Sequence, residues 1–408
     1  MTQTFLTELS ILKVRHLSDI NIPLSSNSRK HLIITGKNGS GKTSVLTAIV
    51  DFLSYVVSQQ FDSRGKIEAT LRNFTARVQK GDLSPRDEES YRSVIASTQK
   101  ELLNWTNGCI ATCTSFEQLR KGYTSGQFIL AFYGDTRKVD VLTYKNIEKI
   151  ELQPIYTFKD KPSKNLGKYL VNLKSTQAFA QAKNDQKRAT EIQEWFIRFE
   201  NILRRIYQDN SLTLDFDIDT FQFSILIDGR EPFEFNTMSM GYAAVFDIIS
   251  DLIMRMESQH RYDLEGIVLI DEIETHLHVE LQKQIVPILT ELFPNIQFIM
   301  TTHSPFILNS AQNTVIYDLE SKTLVSNGLT NLPYEGIVEG YFGVETLSEE
   351  LQRKFCEYKS LVVSDNLSDA DYAQIAELEH YLDEVPDYLA VDFAAEYAQL
   401  KLEFENRG

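Results

Sequence analysis

The spacing of hydrophobic residues changes several times along this chain, and each change predicts a different element. Over residues 5–35, Leu9, Ile11, Val14, Leu17, Ile20, Ile22 and Leu24 alternate with polar positions. That period predicts two or three short strands joined by polar turns such as His16-Leu17-Ser18-Asp19. His31 to Thr35 then run apolar, as a buried strand does, and Ser44 to Leu53 read as a helix. Residues 44–107 read as mostly helical, broken by a polar loop over Lys80–Arg86, with Arg64, Lys66, Arg72, Arg77 and Lys80 forming a basic face. Residues 109–115 and 127–133 predict strands, the second followed by a turn at Gly134–Arg137. Residues 154–168, rich in lysine, predict an exposed loop. From Gln177 to Tyr207 the spacing of Phe179, Ile192, Trp195, Phe199, Leu203 and Ile206 predicts one amphipathic helix. Residues 212–227 alternate again, and Asp228-Gly229 supplies a hairpin turn. Helical stretches fill Leu347–Phe404, with Tyr358, Tyr372, Tyr381, Tyr388 and Tyr397 among them.

Three of these boundaries carry chemistry. The first follows the strand at His31–Thr35: Gly36-Lys37-Asn38-Gly39-Ser40-Gly41-Lys42-Thr43, then Ser44 and the helix. This is the G-x-x-x-x-G-K-T phosphate loop, in its strand–loop–helix context. Its glycines let successive N–H groups converge on phosphate oxygens at a helix N-terminus. Lys42 is placed to reach the β- and γ-phosphates of ATP, and Thr43 to ligate Mg²⁺. The second boundary is Ile267-Val268-Leu269-Ile270-Asp271-Glu272, a buried strand ending in two carboxylates. Asp271 is the candidate for holding Mg²⁺, and Glu272 the candidate for polarising an attacking water. The third is Gln297–Pro305, a buried strand ending in Thr302-His303-Ser304-Pro305, where an imidazole can meet the γ-phosphate or the water.

Charge and composition narrow the picture. Net charge is −16, which argues against a simple basic DNA-binding protein. The distribution is uneven: Arg137–Arg188 holds 12 Lys/Arg against 5 Asp/Glu, whereas Glu345–Gly408 holds 5 against 16. A basic middle and an acidic tail suggest different partners, including DNA or RNA for the middle, or two solvated faces. No apolar run reaches the ~18–20 residues of a membrane helix, so no membrane partner is expected. Three cysteines and no secretion signal lead us to expect a cytoplasmic protein. Cys109 and Cys113 have no second pair to complete a zinc site.

Together, Gly36–Thr43, Asp271-Glu272 and Thr302–Pro305 resemble an ABC-type ATPase head of the SMC/RecF/OLD superfamily. The run Asp271-Glu272-Ile273-Glu274-Thr275-His276-Leu277-His278 is similar to the D-E-x-E-x-H-L-H run of its prokaryotic defence-associated branch. The resemblance implies an α/β fold: a P-loop head with a mixed central sheet flanked by helices, a helical and β insertion, and a helical C-terminal tail. It divides the chain into a first half of the head (1–55), an insertion (56–210), a second half of the head (211–335) and an acidic tail for partner docking (336–408). It also implies a signature loop that completes the ATP site of an opposing subunit. Met238-Ser239-Met240-Gly241-Tyr242 matches it only at Ser239 and Gly241. The D-loop reading gives Glu274, His276 and His278 packing and subunit contacts, ahead of a metal site. For the family's Q-loop, Gln59, Gln60 and Arg137 are candidates by position only. In layout the chain resembles the stand-alone ATPases of Septu-like and retron anti-phage systems, since the stretch after Pro305 is too short for the Toprim domain of OLD nucleases. That likeness implies a homodimer or an assembly of dimers, partnered by a separate HNH-type nuclease. A DNA-repair ATPase that senses DNA through the basic middle, and an ATP-bound scaffold holding a toxin or nuclease inactive, are the competing expectations.

Overall fold

The computed structural model describes residues 3–59, 61, 70, 73–78, 80, 84–137, 149–330, 349–364, 367–383 and 391–405. Gln60, Arg64, Lys66, Arg72, residues 81–83, residues 138–148 and Tyr388 lie outside them. The chain divides into two compact units, Met1–Asn331 and Leu332–Gly408.

In the first unit the elements run β1 (Leu6–Val14), β2 (Leu17–Pro23), β3 (His31–Thr35), α1 (Lys42–Val57), α2 (Pro85–Thr106), β4 (Cys109–Cys113), α3 (Phe116–Thr124) and β5 (Phe128–Tyr133). They continue with α4 (Leu166–Ala182), α5 (Gln186–Tyr207), β6 (Thr213–Asp217), β7 (Gln222–Leu226), β8 (Phe233–Glu234), α6 (Met240–Glu257) and β9 (Glu265–Ile270). Last come α7 (Val279–Leu292), β10 (Ile296–Thr301), α8 (Pro305–Ser310), β11 (Thr314–Asp318) and β12 (Leu324–Val325).

The central sheet has the order β12-β11-β3-β10-β9-β5. Strands β11, β3, β10, β9 and β5 are mutually parallel, and β12 adds an antiparallel edge. Residues of β3, β9, β10 and β11 are buried without alternation, as expected of parallel strands covered on both faces. A second sheet, β2-β1-β4, is antiparallel and half-buried. Helix α1 fills the space between the two sheets. Its Val45, Leu46, Ala48, Ile49, Phe52 and Leu53 are fully buried, within one cluster with Leu9, Ile11, Leu32 and Ile34. Gln297 on β10 crosses between the sheets: its Oε1 accepts from Leu6 N–H (2.7 Å) and its Nε2 donates to the carbonyls of Leu6 (3.0 Å) and Lys30 (2.8 Å).

The structure departs from the sequence expectations in three places. Residues 109–133, placed with the insertion, belong to the head: β4 pairs with β1, and β5 forms the sheet edge beside β9. Their apolar faces, Cys109, Ala111, Phe128 and Leu130, join the same core as α1. The predicted helix over Gln177–Tyr207 is two helices, α4 and α5, broken at Lys183-Asn184-Asp185. Asn184 turns left-handed (φ +58°) and Asp185 caps α5 by accepting Arg188 N–H. The stretch 154–168 is not all exposed: Pro162 and Ser163 are buried in a 3₁₀ turn, and the Ser163 N–H is held by Asp251 (3.2 Å). The alternating stretch is itself a hairpin, β6–β7, turning at 218–221, and Asp228-Gly229 makes the expected turn into β8, where Arg230 N–H donates to Ile227 O (3.1 Å).

The described residues of the second unit form three helices: α9 (Glu349–Val362), α10 (Asp369–Asp383) and α11 (Val391–Glu405). They pack Phe355, Tyr358, Val362, Ile375, Leu378, Leu382 and Tyr397 into a small core. Tyr358 and Tyr397 are buried there, whereas Tyr372 is exposed.

Candidate functional site

Strand order assembles the site. Strands β3, β10 and β9 are consecutive neighbours and parallel, so their C-terminal ends lie along one edge of the sheet, ~5 Å apart. The phosphate loop leaves β3, His303 follows β10, and Asp271-Glu272 follow β9. Ligands of parallel α/β sheets bind at this edge.

The loop takes its shape from its glycines. Gly36 has φ +134° and Gly41, the N-cap of α1, has φ +100°. A Cβ on Gly41 would lie 2.9 Å from Leu17 Cδ1, and one on Gly36 would lie 2.9 Å from Ser40 Oγ. The curled backbone presents N–H groups at the start of a 16-residue helix, which adds partial positive charge. Lys42 is buried, and its Nζ donates to the loop carbonyls of Gly36 (2.8 Å) and Lys37 (3.1 Å). Burial lowers its pKa, opposed by Glu272, Glu274, Asp271 and Asp318. Asn38, Gly39 and Thr43 are exposed, and Ser40 and Ser44 are half-buried.

Thr301, at the end of β10, organises the two acids. Its hydroxyl donates to Asp271 Oδ1 (2.6 Å) and accepts from Glu272 N–H (2.7 Å). Asp271 is buried, and Glu272, half-buried, has the left-handed backbone φ of +44°. That conformation costs a non-glycine residue about 1–2 kcal/mol, so its surroundings must hold it. Glu274 separates from His276 and His278, with which it was grouped for packing and subunit contact. Its Oε1 accepts His303 N–H at 2.5 Å, while His276 is exposed and His278 caps α7 by accepting Leu281 N–H. Burial and the charge of Lys42 lower the His303 pKa. Among the described residues, His303 Nε2, Glu274 Oε2, Ser40 Oγ and Thr35 Oγ1 are buried without hydrogen-bond partners. Buried polar atoms of this kind normally have partners. Their convergence on the loop suits a polyanionic ligand with its metal ion.

Ser239 and Gly241 lie elsewhere. Ser239 is the exposed N-cap of α6, and its hydroxyl caps no N–H of that helix. Met240 beside it is 72% exposed. Gly241 is buried: a Cβ there would meet His276 O at 3.0 Å, so the start of α6 rests on the turn that follows Glu272. Of the Q-loop candidates, Gln59 is exposed after α1, and Arg137 is buried against the Asp271–Ile273 backbone. Sequence reasoning passed over Thr301 and did not pair Glu274 with His303. A third acid two residues beyond Asp-Glu was the available signal for Glu274; a strand-terminal threonine offered none.

Residues 110–309 match the family model described as "AAA domain, putative AbiEii toxin, Type IV TA system". The chain is 24% identical over 399 residues to the Septu protein PtuA of Bacillus mycoides, covering 93% of this chain and 50% of that protein. It is 32% identical over 180 residues to the Retron Ec83 probable ATPase of Escherichia coli, covering 42% of this chain and 32% of the other. The chain thus spans half or less of the length of these relatives. Among solved structures, it resembles an SMC head domain with an extended coiled coil bound to the C-terminal domain of ScpA from Pyrococcus furiosus. The TM-score is 0.37 at 13% identity, over 83% of this chain and 100% of that one.

Proposed function

We propose that this chain, an AAA-type ATPase related to the Septu PtuA proteins and the retron ATPases, hydrolyses ATP between two head-to-head copies. The nucleotide state of that pair controls a separate effector, an HNH-type nuclease, in anti-phage defence. The observation that carries the ATPase part is the convergence of Lys42, Asp271, Glu272 and His303 on one sheet edge, with partnerless buried polar atoms among them.

Loop N–H groups and Lys42 bind the phosphates, Lys42 exchanging the Gly36 and Lys37 carbonyls for phosphate oxygens. Thr43 and Asp271 are the residues that would hold Mg²⁺, which neutralises charge on those oxygens. Glu272 orients a water and takes its proton. His303, kept neutral near pH 7 by burial and Lys42, lies beside the γ-phosphate position. Ser239, with Met240 beside it, is exposed, as a group serving a second copy's nucleotide must be.

Steady-state turnover tests this. The wild type should release phosphate from Mg-ATP, and Glu272→Gln should lower kcat by about 10²–10³-fold while leaving ATP binding in place. Equal turnover by the two proteins would remove Glu272 from the reaction. The DNA-sensing alternative would rest on the exposed Lys159, Lys164, Lys183, Lys187 and Arg188 of the basic stretch, whereas Arg137 holds carbonyls and Lys174 lies over the Phe196 ring (4.2 Å).

A further inference from the structure

One buried cation beside the site has no part in the reaction just described. Arg137, four residues beyond β5, is 5% exposed. Its Nε donates to Gly134 O (3.1 Å), and one terminal nitrogen donates to Ile273 O (3.1 Å). The other donates to Asp271 O and to Glu272 O (3.0 Å). Among the described residues its hydrogen-bond partners are main-chain carbonyls, not carboxylates. Burial lowers its pKa to about 10, which leaves it charged at neutral pH. A rigid fork with five donors suits several fixed acceptors, where a lysine offers one point charge.

The backbone it grips is the one that needs gripping. Glu272 sits in the left-handed region at φ +44°. Thr301 holds its N–H from the β10 side, and Arg137 holds its carbonyl and both neighbouring carbonyls from the β5 side. Arg137 is itself anchored. Strand β5 pairs with β9 along its length, and the last β5 residue, Tyr133, accepts Asp271 N–H (2.8 Å) and donates its hydroxyl to Asp251 of α6 (2.8 Å).

We propose that Arg137 is a positioning residue for Glu272: by holding the carbonyls of Asp271, Glu272 and Ile273 it fixes the left-handed turn that aims the Glu272 carboxylate. This rests on the reading that Glu272 acts on the attacking water. The guanidinium touches no reacting atom, so it acts through the Asp271–Ile273 backbone that it holds.

The test is a double-mutant cycle on the full chain, with kcat for ATP and the Kd of Mg-ATP measured for the wild type, Arg137→Ala, Glu272→Gln and the double variant. Arg137→Ala should lower kcat by about 10–100-fold, the range typical of residues that orient a functional group, with Kd changed less than threefold. The double variant should be no slower than Glu272→Gln, because groups acting as one unit are not additive. Arg137→Lys, which keeps charge and bulk if the alanine variant fails to fold, should show the same loss of kcat at unchanged Kd. Millimolar guanidinium should restore part of the kcat of Arg137→Ala and none of that of Glu272→Gln. The inference is overturned if Arg137→Ala turns over at the wild-type rate, or if the two losses multiply. It is overturned too if kcat, Kd and melting temperature decline together and lysine restores all three. A wild type without turnover, or a Glu272→Gln variant as fast as wild type, would instead bring down the reading of Glu272 on which it rests.

Discussion

A single hydroxyl sets apart the two acids at the end of β9. Thr301 fixes one oxygen of Asp271 and the N–H of Glu272, so one carboxylate is oriented inward and its neighbour is turned by the left-handed backbone. Thr301→Val keeps the shape and removes both bonds. It should lower kcat by about tenfold or more, as loss of an orienting partner does, while Thr301→Ser stays near wild type. Steady-state kinetics of the pair checks this, and equal rates for valine and serine would contradict it. On the proposed reading, Lys42 also contacts the phosphates of bound ATP. Removing its charged hydrogen bonds, worth about 2 kcal/mol, should weaken ATP binding about 30-fold in Lys42→Ala, as read by calorimetric titration.

Two buried polar side chains tie strands together at the scale of elements. His31 on β3 accepts Phe298 N–H of β10 with Nδ1 (3.1 Å). Burial, with Arg29 adding to it, pushes its pKa down to about 4. The native state therefore binds fewer protons than the unfolded chain between pH 6.5 and about 4, and stability falls as pH drops through that window. The loss amounts to about 3 kcal/mol in all. Urea unfolding at pH 7 and pH 4.5 should show a pH-dependent component in the wild type that His31→Gln lacks. Gln297→Met should destabilise by about 3 kcal/mol, since the Leu6 N–H and carbonyl would stay buried without partners. These ties were not legible beforehand, because a polar residue inside an apolar run looks like an interruption until its partner strand is known. The loop at Gly36–Thr43 and the strands leading to Asp271-Glu272 and His303 were legible, because continuous burial and terminal chemistry are both local. The place of β5 at the sheet edge and the break at Asn184 were not. Pairing with β9, and a left-handed residue inside a periodic stretch, are settled by packing that spacing does not record.

For the whole molecule, a nucleotide site is built from one copy's loop and acids, while Ser239 stands exposed at the head of α6. On the proposed function, two copies pair so that these parts meet, with ATP as the bond between them. Sedimentation velocity of the Glu272→Gln variant with Mg-ATP, with Mg-ADP and without nucleotide tests this most directly. Twice the monomer mass is expected with Mg-ATP alone, and a return to monomer when Ser239→Arg is added. A mass that ignores the nucleotide, or a dimer that survives Ser239→Arg, would contradict it.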